Sequence, residues 1–107
     1  MITIEDFSKI EIKIGKILSA ERIEGSEKLL KLMVDVGEEV PRQILSGVAK
    51  AVSDPAELVG KEVPILSNLA PRTMMGMESQ GMMLCATDEL PVFLHPTHEV
   101  SPGSIVK

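Results

Sequence analysis

The segment Leu30-Lys31-Leu32-Met33-Val34-Asp35-Val36 constrains this chain more than any other, because a branched aliphatic stands at every second position. In a strand, alternate side chains leave opposite faces, so Leu30, Leu32, Val34 and Val36 line one side while Lys31, Met33 and Asp35 line the other. A helix would scatter the four aliphatics around its axis. The chain must therefore contain a half-buried strand, and with it a sheet.

The remaining strands are read by the same rule. Ile10, Ile12 and Ile14 alternate with Glu11 and Lys13 in a first strand, and Ile17 breaks the phase after Gly15, which predicts a bulge or sharp bend at that glycine. Glu24-Gly25-Ser26-Glu27 is a turn into the second strand. Gly37-Glu38-Glu39 is a hairpin connection into a third, Pro41-Arg42-Gln43-Ile44-Leu45-Ser46. Residues 63–69 form a fourth, where Pro64 predicts an edge position or an irregular start, and residues 81–87 form a fifth. Asp54-Pro55-Ala56-Glu57 starts a short helix that Gly60 closes, with an acidic cap and proline at the first helical position. Thr3 ahead of Glu5 and Asp6 predicts a capped helical turn near the beginning.

Five short strands with one short helix between the third and fourth make an all-β chain with the order of the OB-fold, a five-stranded Greek-key barrel. Spacing alone also admits another small barrel or sandwich. Beyond Asp88, Val92-Phe93-Leu94 and Ile105-Val106 are separated by Pro96, Pro102 and Gly103 and read as a C-terminal appendage after the barrel. With 107 residues there is room for one domain.

Composition narrows the function. No stretch approaches the roughly 18 apolar residues of a membrane span. Met1 is followed by Glu5 and Asp6 rather than by a basic and then apolar leader, so a cytoplasmic address is expected. Cys85 has no partner for a disulfide and lies in the apolar run Met82-Met83-Leu84-Cys85-Ala86, which predicts a buried, inert thiol. Eleven basic residues against sixteen acidic ones exclude nucleic-acid binding driven by bulk charge. Two Phe and no Trp or Tyr exclude base stacking on aromatic rings as a main mode.

No catalytic set emerges. Cys85 lacks an exposed position beside a base, and His95, His98 and Glu99 have neither helical i, i+4 spacing nor a second cysteine to complete a metal site. Gly76-Met77-Glu78-Ser79-Gln80-Gly81 lacks the lysine of a phosphate loop. Neither a cofactor nor a metal is expected. The unusual feature is a cluster of methionines: Met74, Met75, Met77, Met82 and Met83, five of the seven. One of the adjacent pair Met82 and Met83 must point inward. The others suit an adaptable contact surface, beside Asn68, Arg72, Ser79 and Gln80.

Several segments together resemble one family. Asp6-Phe7-Ser8-Lys9-Ile10, Gly15-Lys16-Ile17, Glu27-Lys28-Leu29-Leu30-Lys31-Leu32, Arg42-Gln43-Ile44-Leu45-Ser46-Gly47, Asn68-Leu69-Ala70-Pro71-Arg72 and Met75-Gly76 followed by Ser79, Gly81 and Met82 are similar, in order and register, to the tRNA-binding domain at the C-terminus of bacterial methionyl-tRNA synthetase and to stand-alone dimeric tRNA-binding proteins. The resemblance implies an OB-fold over residues 1–107 that binds the outer corner of tRNA by shape, without catalysis of its own. It implies a homodimer joined through the chain ends, with residues 88–107 as the dimerisation appendage, and the catalytic part of methionyl-tRNA synthetase as a partner in cis or in trans. Carried over by position, the RNA-binding residues are Lys31, Met33, Arg42, Gln43, Ser46, Asn68, Arg72, Ser79 and Met82. Thr73 stands where many relatives carry lysine, which removes one cation and implies weak binding. A sibling branch of the same fold family is similar to a secretion chaperone with an apolar peptide pocket, so peptide binding is the alternative.

Overall fold

The computed structural model describes residues 1–107. A capping box opens it: the Thr3 hydroxyl accepts from the Asp6 amide and the Asp6 carboxylate accepts from the Thr3 amide, which starts the one-turn helix α1, Ile4–Phe7. The strands that follow are β1 (Ile12–Arg22), β2 (Leu30–Asp35), β3 (Arg42–Ser46), β4 (Glu62–Leu66), β5 (Arg72–Met74), β6 (Met77–Ser79), β7 (Met82–Met83), β8 (Cys85–Asp88), β9 (Leu90–Phe93) and β10 (Ile105–Val106). The main sheet runs β3-β2-β1-β4-β7, every pairing antiparallel. Hydrogen bonds between Gln43 and Gln80 then join β3 to the segment after β6, which nearly closes the barrel. This is the expected OB-fold.

The core fills the inside of that barrel. Leu30, Leu32, Val34 and Val36 are all buried, as their alternation requires, and meet Ile17, Ile44, Val63, Ile65 and Met83. Met83 points in and Met82 points out.

Three local expectations change. Gly15 lies in regular β1 and faces inward, where a Cβ would collide with Val34 Cγ1; the position is small because the barrel is tight there. The bulge is at Leu18, the extra residue between the pairs Ile17↔Val34 and Ser19↔Met33. Pro64 lies in an interior strand, not at an edge. It pairs with Ile14, whose amide and carbonyl both turn away to Ser104 and Gly103, so no donor is required of the proline on that side. The turn capped by Asp54 is a 3-10 turn, Pro55–Leu58, rather than an α-helix.

The fifth strand also breaks in two. β7 pairs with β4, whereas β8 folds back on β9 through a tight turn at Glu89. Residues 72–79, between the expected fourth and fifth strands, form the hairpin β5–β6 around Met75-Gly76, both at positive φ. The C-terminal appendage is stitched to the barrel: β10 pairs with Ile12 and Lys13 on the half of the β1 edge that β2 leaves free, and Phe93 packs against the core. Cys85 is half-buried rather than buried, and that burial pushes its thiol pKa up.

Candidate nucleic-acid interface

Cross-strand pairing decides which side chains share a surface, because residues directly opposite in an antiparallel pair point to the same face. On the outer side of β2 and β3 one row runs Glu21–Lys31–Leu45, and the Leu45 amide donates to the Ser79 hydroxyl. Both Leu45 and Ser79 are buried, so the β5–β6 hairpin, with Ser79 paired to Arg72, covers that end of the row. A second row runs Ser19–Met33–Gln43. Lys31, Met33 and Gln43 thus lie on the paired strands β2 and β3, and Ser79 and Arg72 on the separate β5–β6 hairpin that packs against β3.

Arg42 and Ser46 belong to the opposite phase of β3. They pair with the buried Val34 and Leu30, so neither shares the outer face with Gln43. Arg42 emerges at the barrel end, where Nη1 donates to the carbonyls of Ser67 and Gln80 and the Nε and Nη2 groups donate to both oxygens of Glu38 at 2.8 Å. These bonds hold the Glu38 carboxyl below its ordinary value of 4.5 and raise Arg42 above its own. Ser46 is half-buried at the end of β3.

Three more of the nine positions use their hydrogen-bonding groups inside the protein. The Gln43 side-chain amide donates to the Glu78 carbonyl at 2.8 Å. Asn68 accepts from the Glu11 amide and donates to the Lys9 carbonyl, tying the approach to β1 onto the end of β4. Ser79 is 3% exposed; its hydroxyl accepts from Leu45 and donates to the Gly81 carbonyl. These side chains shape the surface by fixing its backbone.

Four positions present free or mobile groups outward. Arg72 is exposed and takes part in none of the three ion pairs, which join Lys13 to Glu11, Lys31 to Glu21 and Arg42 to Glu38. Lys31 reaches Glu21 at 3.2 Å across an exposed surface, a contact too weak to hold the ammonium against a phosphate. Met33 is half-buried and Met82 is exposed. Sequence reasoning missed Glu38 and Ser67, and it named Gln80 on the contact surface without its part in fixing Arg42; Ser67 and Gln80 lie 25 and 38 positions from Arg42 in the chain. A signal existed for the β5–β6 hairpin, since a glycine between two short runs is a turn mark.

The surface is thus one of shape and of a few cations, with no group of three His, Cys, Asp or Glu placed to hold a metal ion. Residues 12–105 match the family described as "Putative tRNA binding domain". The chain belongs to the tRNA-binding domain family. It is 55% identical over its whole length to a methionine–tRNA ligase of Methanoregula boonei and 48% identical over 99% of its length to that of Methanococcoides burtonii. The chain spans 16% of each of those ligases. What it matches there is their tRNA-binding domain, which is not the catalytic part.

Among solved structures, the tRNA-binding domain superposes on a MetRS-related protein from Pyrococcus horikoshii with a TM-score of 0.92 at 36% identity, covering 100% of this chain and 98% of that one. It superposes equally well on the chaperone CsaA of Bacillus anthracis, with a TM-score of 0.92 at 26% identity and 99% of that chain covered. No helix of the domain is long and apolar enough to cross a membrane.

Proposed function

We propose that this domain holds tRNA by its backbone and folded shape in the cytoplasm and keeps it near the catalytic part of a methionine–tRNA ligase, either within one polypeptide or as a separate partner. The observation that carries this reading is the exposed Arg72, outside every ion pair, on the hairpin that packs against β3, in a chain of the tRNA-binding family whose neighbouring β2 presents Lys31 and Met33. Lys31 and Arg72 meet phosphates; Met33 and Met82 supply polarizable contacts to sugars and base faces. Ser46 borders the surface. Arg42, Gln43, Asn68 and Ser79 hold the strands that carry it.

Two copies act together in this reading. The exposed Ile4 and Ile10, with Phe7, Ile105 and Val106, line an apolar hollow of about 440 Å³ where α1 meets β10. Covering it with a second copy removes apolar surface from water and sets two weak RNA sites at a fixed spacing. Titration of bulk tRNA in a mobility-shift assay at low and moderate salt tests the function: retardation at low salt that fades as salt rises is expected, and no retardation at low salt would sink the reading.

The likeness to CsaA favours a second reading, in which the same surface takes an extended peptide. Arg72→Ala separates the two, because it weakens binding to a polyanion and leaves an apolar peptide contact nearly untouched.

A further inference from the structure

Arg42 uses the two edges of one guanidinium for different purposes. Its Nη1 donates to the backbone carbonyls of Ser67 and Gln80, which fixes the plane of the group against the barrel. Its Nε and Nη2 point the other way and form two parallel bonds of 2.8 Å to the Glu38 carboxylate. That outward edge is the fork that also fits two oxygens of a phosphate diester. Glu38 occupies it from the turn between β2 and β3, with 39% of its own side chain exposed. Beside the pair is a hollow of about 430 Å³, walled by Val40, Leu69, Pro71 and Gln80, so an incoming group has room to approach.

We propose that Glu38 stands in for a backbone phosphate of tRNA, and that bound RNA displaces it from Arg42 to gain a phosphate site that the free protein keeps closed. This deepens the reading of the domain as a tRNA binder and rests on it. The exchange replaces one anion by another on a fork that two carbonyls already hold in place, so little reorganisation is needed. Glu38 thereby acts as a filter. A polyanion that cannot place a phosphate in the hollow gains nothing from Arg42, whereas an RNA of the right shape does.

The experiment compares tRNA affinity of the wild-type chain with Glu38→Gln, Glu39→Gln and the double variant Glu38→Gln/Arg42→Gln at fixed salt. Glu39 is exposed, adjacent and outside every ion pair, so its variant measures the general effect of removing one negative charge. Glu38→Gln is expected to bind about threefold to fivefold more tightly than wild type, the scale of one exposed ion pair, and clearly more tightly than Glu39→Gln. The double variant is expected to lose that gain. If wild type binds tRNA and Glu38→Gln gains no more than Glu39→Gln, this inference is overturned while the proposed function stands. If neither wild type nor Glu38→Gln binds at low salt, both fall. Should Glu38→Gln fail to fold, the Arg42 Nε–H resonance of the wild-type protein decides: a shift on adding tRNA supports the exchange, and an unmoved resonance in the bound protein overturns it.

Discussion

Gly37 and Gly103 meet backbone to backbone. A Cβ on Gly37 would lie 2.8 Å from the Pro102 carbonyl oxygen, and a Cβ on Gly103 would lie 2.8 Å from that of Val36, with both glycines at positive φ. Through this approach the β2–β3 turn seats the segment leading into β10, and the Gly103 amide then donates to the Ile14 carbonyl. The proximity leaves no space for a side chain, and the backbone conformation disfavours one.

Alanine at either position should therefore destabilise the domain by about 2–4 kcal/mol, combining left-handed strain with a backbone clash. Because both substitutions disrupt one junction, the double variant should cost clearly less than their sum. Denaturant midpoints for the two single variants and the double variant check this. Strictly additive losses would mean that the two glycines act independently.

Ser79 offers a second test, one that separates building the surface from touching RNA. Its buried hydroxyl accepts from Leu45 and donates to Gly81. Ser79→Ala leaves the Leu45 amide without that partner, and a loss of about 1–3 kcal/mol is expected in chemical unfolding. At temperatures where the variant is folded, tRNA affinity should stay within roughly twofold of wild type, as for a side chain whose role is only structural. A drop of about tenfold in affinity with unchanged stability would instead make Ser79 a direct ligand.

How much of this could be read from the chain depends on the reach of the interactions. The faces of β2, the capped turn after Thr3 and the Asp54 cap with Pro55 behind it are set by residues within a few positions of one another, and these were legible. Pro64 was not, because its tolerance depends on Ile14 bonding to residues 103 and 104. Gly15 reads as a bulge until Val34 is placed against it. The site suffered in the same way. Arg42 and Gln43 are neighbours in sequence, yet strand geometry sends them to opposite faces, and only the fold reveals that Glu38 already holds Arg42.

Acid should weaken the barrel end. The Ser67 hydroxyl and Lys13 hold the Glu11 carboxyl below its ordinary value, and Arg42 does the same for Glu38. Between those lowered values and 4.5 the unfolded chain binds more protons than the folded one, so stability rises with pH across that window. The contribution is fully present above 4.5 and disappears as pH falls through the lowered folded values. Thermal melts from about pH 6 to about pH 3 should thus decline less steeply for Glu11→Gln than for wild type, starting from a lower plateau. Parallel declines would show that other carboxylates control acid unfolding.

Arg72 and Arg42 should part company when salt and stability are measured together. Arg72 is exposed and holds no internal partner, so Arg72→Gln should leave the denaturant midpoint unchanged. Removing one protein–phosphate interaction lowers the slope of log affinity against log salt by about 0.7–0.9, and this variant should show one such step. Arg42→Gln should also lower the slope, since Arg42 takes a phosphate when Glu38 is displaced, and unlike Arg72→Gln it should cost stability. It removes the donor that joins the carbonyls of Ser67 and Gln80, one of the links between β3 and the ends of β4 and β6. An unfolding free energy lower by about 1–3 kcal/mol is expected there, on the scale of unpaired part-buried groups. If Arg72→Gln binds tRNA with an unchanged salt slope, the β5–β6 hairpin is not on the path of the RNA backbone.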